Sequence, residues 1–291
     1  MEPSERPGTG SRAGTGQRDE PSRVRRVRNL HRENGTIWTV LFILERAAHR
    51  AGASRLSRAM WRKRAERELA HGLTGTNTAE RNRIAWNEYD WAHAGEEWSE
   101  SPEWRDSLID EVMLSNLPDD AVALEIGPGA GRWSVRLRQS SRQLLLVDVS
   151  ERPLELCRAR FADDPGVSYL LNDGSNLPGV GDRSVDFVWS FDAFVHIAPV
   201  DQKRYVYELA RVMRPGARAV IHHAGHGSDH SGLTPEGWRS SMTTERFKIL
   251  VTDAGMRVID QRDRWGPNGE HSVPEPGDVI TIFEASSPSD P

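Results

Sequence analysis

Apolar positions fall into two patterns along the 291-residue chain. From residue 120 onward, short apolar runs at 122–126, 144–147, 167–171, 186–190 and 217–222 read as buried strands. Helical spacing fills the intervals at 133–137, 153–161, 205–213 and 243–254. Strands alternating with helices predict an α/β fold, a doubly wound and mostly parallel sheet. Runs at 256–260 and 279–284 have only a turn-rich link between them (Gly266, Pro267, Gly269, Pro274, Pro276, Gly277). These last two strands are expected to pair antiparallel, because a hairpin needs no crossover.

Before residue 120 the pattern is helical. Residues 36–70 predict two helices broken near Gly52, and 71–77 a linker. The second helix carries Leu56, Met60 and Trp61 among Arg55, Arg58, Arg62, Lys63, Arg64 and Arg67. Both a solvated basic face and a membrane-surface or acidic-partner role fit that run. Residues 80–117 are aromatic and acidic, and Ser101-Pro102 marks a helix start. The expected organisation is a disordered tail at 1–22, a basic helical extension and linker at 23–79, a helical cap at 80–119, a core at 120–285, and a tail at 286–291.

Charge sharpens this division. Residues 1–75 carry a net charge of +8 and residues 76–291 a net charge of -13. The single cysteine, Cys157, excludes a disulfide framework and fits a reducing, cytoplasmic setting. The apolar run at 37–44 is far shorter than the ~20 residues of a spanning helix, so no transmembrane segment is expected.

The chemistry centres on Glu125-x-Gly127-x-Gly129-x-Gly131, which joins the first core strand to a helix. Such a turn offers free N–H groups and a helix dipole to a ligand. A dinucleotide fingerprint needs glycine where this chain has Arg132, which counts against a nicotinamide dehydrogenase. The motif resembles the first motif of the class I S-adenosylmethionine (SAM)-dependent methyltransferases. Their seven-stranded sheet, with its last strand reversed, matches the strand order over roughly residues 120–285. The resemblance implies SAM as cofactor, held by Glu125, Gly127, Gly129 and Gly131 at its methionyl part. It implies Asp148 at the ribose, Asp173 at the adenine with Asn172 and Gly174 beside it, and Ser190 and Phe191 near the sulfonium.

The acceptor is read from the polar groups at the strand tips. DNA amine enzymes of this type carry an (Asp/Asn)-Pro-Pro-aromatic motif where this chain has Ser190-Phe191-Asp192-Ala193, and pyrimidine C5 enzymes need a cysteine there. Both nucleic-acid classes are disfavoured, and no DNA partner is expected. An alcohol acceptor needs a base, for which His196 is the first candidate and His223 the second, with Asp192 nearby. The cluster His222, His223, His226, Asp229 and His230 matches no metalloprotease signature, and His222 and His226 are expected to line the acceptor pocket. Asp192 with Asp229 is a candidate divalent-ion pair; no metal is assigned. Trp86, Tyr89, Trp91, Trp98 and Trp104, with Glu88, Asp90, Glu96 and Glu97 between them, suit a saccharide or other polyol, Trp86, Tyr89 and Trp91 being the candidate acceptor contacts, and equally a packed core. The reading is therefore a methyltransferase acting on a hydroxyl of a small polar metabolite. Alternatives are an RNA or protein methyltransferase docking through the basic front segment, and a SAM-binding regulator without chemistry.

Overall fold

A computed structural model of the chain describes residues 23–162, 164–225 and 239–286. The expected disordered segment 1–22 and the residues His226, Asp229 and His230 lie outside the described residues, as do 287–291 of the expected C-terminal tail.

The N-terminal part is a helical hairpin, α1 (Arg23–Arg50) and α2 (Ser54–His71), joined at Gly52. α1 begins upstream of the expected start, and Gly35, at φ 77°, interrupts its helical backbone. The basic run on α2 is not a uniformly solvated face. Arg64 is buried and bonds Glu45 and Glu68, both at 2.7 Å, while Leu56 is exposed. Glu68 also accepts from Trp38 Nε1 at 2.7 Å and from Ser241 Oγ at 2.5 Å, which ties the hairpin to the far end of the chain. Two carboxylates around one guanidinium make that burial tolerable.

α3 (Ala79–Glu88) is capped by Thr78, whose side chain accepts from the Arg81 N–H. A short 3-10 turn at Glu96–Trp98 follows. α4 (Pro102–Ser107) starts where expected, with Ser101 accepting from the Trp104 N–H, and then widens into a π-helical stretch, Leu108–Leu114.

The core sheet begins with β1 (Ala121–Ile126), α5 (Ser134–Gln139), β2 (Ser141–Asp148), α6 (Glu151–Arg160) and β3 (Val167–Leu171). It continues with β4 (Val185–Ser190), a 3-10 turn at Phe194–His196, α7 (Pro199–Val212), β5 (Met213–Ala224), α8 (Thr244–Asp253) and β6 (Met256–Arg262). A two-stranded ribbon, β7 (Arg264–Trp265) with β8 (His271–Ser272), precedes β9 (Asp278–Ala285). Strand order is β3-β2-β1-β4-β5-β9-β6, with β9 antiparallel to both neighbours. This is the expected seven-stranded, mostly parallel sheet. Alternate residues enter opposite cores: Leu124, Val188 and Ile221 face one side, and Ala123, Phe187, Trp189 and Val220 the other. The winding direction reverses between β1 and β4, so their carboxyl ends open a crevice, where ligands bind in such sheets.

Candidate active site

The floor of that crevice is backbone. Gly127, Gly129 and Gly131 take φ of 73°, 57° and 86°, a region costly for side-chain-bearing residues. A Cβ on Gly127 would stand 2.4 Å from the Ala193 Cβ, and one on Gly129 would stand 2.8 Å from the Trp91 ring. Gly131 faces the other way, toward Arg160 and Cys157 of α6. Cys157 is buried, and its thiol donates to the Gly129 carbonyl at 3.4 Å.

Two acids flank the bend. Asp148, at the tip of β2, lines the crevice and accepts from the Ser150 N–H at 2.8 Å. Burial pushes its carboxyl up to about 7. Glu125 lies beneath, accepting from Ser134 Oγ at 2.5 Å, and burial pushes it up to about 8. Its Oε1 is buried with no hydrogen-bond partner among the described residues.

The roof is aromatic. Trp86, Trp91 and Trp98 from the cap pack edge to face or tilted, with centroids 5.8–6.1 Å apart. They close a cleft of about 870 Å³, including its mouth. Trp86 stands edge-on to His196 at 5.4 Å. His196 lines the cleft, and its backbone carbonyl accepts from Asn77 Nδ2 at 3.0 Å and Asn82 Nδ2 at 2.8 Å. Arg132 joins floor to roof: it bonds Asp192 at 2.7 Å and Ser99 at 3.3 Å, with Trp133 4.3 Å and Trp98 5.8 Å from its guanidinium.

Asp192 lines the cleft at φ 62°, an uncommon conformation for a residue other than glycine. Burial works to raise its pKa, but His222 and Arg132 prevail and hold it well below the usual carboxylate range. His222 lies behind it, fully buried and stacked on Phe191 at 4.3 Å. Burial would lower the His222 pKa; Asp192 on one side and Asp278 on the other outweigh that and raise it.

The structure thus gathers Gly127, Gly129, Asp148, Gly174, Phe191, Asp192, His196, Trp86 and Trp91 around one cleft. Several expected positions face elsewhere. His223 is a core residue, stacked on Phe247 at 3.8 Å with its ring nitrogens 2.8 Å from Ala224 O and 2.7 Å from Thr281 Oγ1. Burial pushes it down to about 3, and its ring lies in the core rather than in the lining of the cleft. His222 is sealed behind Asp192 and Phe191 rather than lining the acceptor pocket. Ser190 is buried and spends its hydroxyl on the Ile126 carbonyl at 2.8 Å. Asp173 turns its carboxylate into its own loop, accepting from Ser175 and Asn176, and Asn172 bonds Asn176 O and Tyr205 OH. Tyr89 packs behind Trp91 and donates to Glu97 at 2.6 Å. Asp192, half of the candidate ion pair, is engaged by Arg132 and His222. Sequence reasoning missed Asn77, Asn82, Arg132, Asp201 and Tyr205 as cleft residues; only the Arg132 position had drawn notice, for its missing glycine.

Comparison with known proteins agrees with the fold. Residues 123–216 match a family model described as "Methyltransferase domain". The chain is 28% identical over 179 residues to "Methyltransferase GfsG" of Streptomyces halstedii, covering 57% of this chain and 62% of that protein. It is 26% identical over 149 residues to a protein of Mycolicibacterium vanbaalenii named as an O-methyltransferase, covering 48% and 64%. The matched stretches span less than two thirds of either relative. In fold it resembles a SAM-dependent methyltransferase from Mesorhizobium loti, with TM-score 0.51, 15% identity, and coverage of 62% of this chain and 99% of that one.

Proposed function

From a core that belongs to the class I SAM-dependent methyltransferases, with SAM as its cofactor, we propose that this chain methylates a hydroxyl oxygen of a small molecule. The observation that carries the reading is the position of His196. Among the described residues it is the histidine that lines the cleft, with Trp86 edge-on to its ring at 5.4 Å.

The site fits the cofactor. On the cleft side of the bend only glycine fits, since a Cβ on Gly127 or Gly129 would collide with Ala193 or Trp91, and Glu125 Oε1 is a buried oxygen with no donor among the described residues. Gly127, Gly129, Glu125 and Asp148 would hold it. When bound, SAM supplies an electrophilic methyl group on a positively charged sulfur. His196 takes the proton from the acceptor hydroxyl, and the twin amide bonds to its carbonyl fix the backbone that carries the ring. The tryptophan roof excludes water and offers flat faces to the acceptor. Trp86 and Trp98 suit a molecule with an apolar face and hydroxyl edges, of which a saccharide is one kind.

The test is conversion of SAM to S-adenosylhomocysteine across a panel of sugars, phenols and amines. Turnover with hydroxylated acceptors, lost in His196→Ala while SAM binding persists, supports the reading. Turnover confined to amines, RNA or protein would overturn it, as would SAM binding without any transfer.

A further inference from the structure

We propose that the α1–α2 hairpin is a docking face for an anionic lipid surface. The observation is a stripe of uncovered aliphatic side chains. Ile37, Val40, Ile43 and Leu44 of α1 are 48–56% exposed among the described residues. On helical spacing they share one side of α1, while Trp38, Glu45 and Ala48 point into the hairpin and are buried. The stripe runs about 10 Å along the axis at 1.5 Å per residue. Contiguous apolar surface of this kind on a folded domain marks an interaction site.

Charge selects the occupant. Residues 23–71 carry thirteen Arg and Lys against four Asp and Glu. Glu45 and Glu68 are consumed internally by Arg64. Arg50 follows the stripe on α1, and Arg55, Arg58 and Lys63 lie exposed on α2. Two copies meeting stripe to stripe would bring two strongly basic hairpins together, which like-charge repulsion opposes. An anionic bilayer satisfies both features: aliphatic groups enter the acyl boundary while arginines meet phosphate headgroups. No helix among the described residues is long and apolar enough to cross a membrane, so the contact lies along the surface.

Co-sedimentation of the full chain with phosphatidylcholine vesicles, with and without about 30 mol % phosphatidylglycerol, tests this. Binding is expected to be at least ~10-fold tighter to the anionic vesicles and to weaken as salt rises. The double variant Val40→Ser/Leu44→Ser should lose roughly 10-fold in partitioning. Arg50→Glu/Arg55→Glu, which leaves the stripe intact, should weaken binding to the anionic vesicles by at least ~10-fold and make the salt dependence shallower; unchanged binding overturns the proposal, and this variant decides the matter if the serine variant melts early. Equal binding to both vesicle types overturns the proposal, as does failure to sediment with either. A dimer in the ultracentrifuge that the serine variant converts to monomer would assign the stripe to a second copy instead.

Discussion

The floor of the cleft is assembled from neighbours in sequence, whereas its roof and its histidine are assembled from strangers. Gly127, Gly129 and Asp148 stand on adjacent parallel strand tips, and β1 pairs with β2 in register from Glu125↔Leu146 to Ile126↔Val147. The roof comes from residues 86–98, and the bonds that hold His196 span 119 and 114 residues. Backbone builds one side and aromatic side chains the other. The difference predicts a division of labour: floor variants should change affinity for the cofactor, and roof variants affinity for the acceptor.

The largest effect sits where the sides meet. His196→Ala should lower kcat by about 10²–10⁴-fold with SAM affinity nearly unchanged, read by steady-state kinetics beside calorimetry. Loss of SAM binding in that variant would dissolve the division. On the floor, Gly127→Ala places a methyl against Ala193 in a left-handed backbone. The left-handed conformation alone costs about 1–2 kcal/mol, so the bend should shift to relieve the contact, and SAM affinity should fall by roughly 10-fold. On the roof, Trp98→Ala should raise the acceptor KM by roughly 3–10-fold, the worth of an aromatic contact, and leave SAM affinity alone. Trp91 covers Gly129 and is expected to move both quantities, so it would blur the contrast rather than sharpen it.

The smallest effect is on pH. Glu125 and Asp148 have pKa values pushed up to about 8 and about 7. A carboxyl with a raised folded-state pKa binds more protons folded than unfolded, so stability falls as pH rises. Without ligand, chemical denaturation should therefore show stability declining between about pH 5 and 8. Glu125→Gln, which cannot ionise, should flatten that slope; an unchanged slope would place the cause elsewhere.

Legibility followed the same line. A strand, a glycine bend and a helix form a local motif, so its residues and the strand order could be read from spacing. Spacing does not tell which way a side chain turns. Asp173 follows a strand as expected, yet its loop backbone captures the carboxylate before it can face the cleft. His222 and His223 alternate across β5, and alternation sends them into opposite cores. β5 runs through Pro215-Gly216, ahead of the apolar run at 217–222, with a register slip between Val185 and Phe187 of its partner. The β7–β8 ribbon, two residues a side, is too short for any periodicity to register. Arg64 read as part of a solvated run because nothing local announces that Glu45, 19 residues away, waits for it.

Glu68 has a consequence for how the chain is made. Its carboxylate is satisfied by Trp38 and Arg64 nearby and by Ser241, 173 residues later. At ~5–20 residues per second, a ribosome needs on the order of ten seconds or more to deliver that last donor. The hairpin is thus born first and locked last, and its aliphatic stripe emerges well before the domain it belongs to is finished.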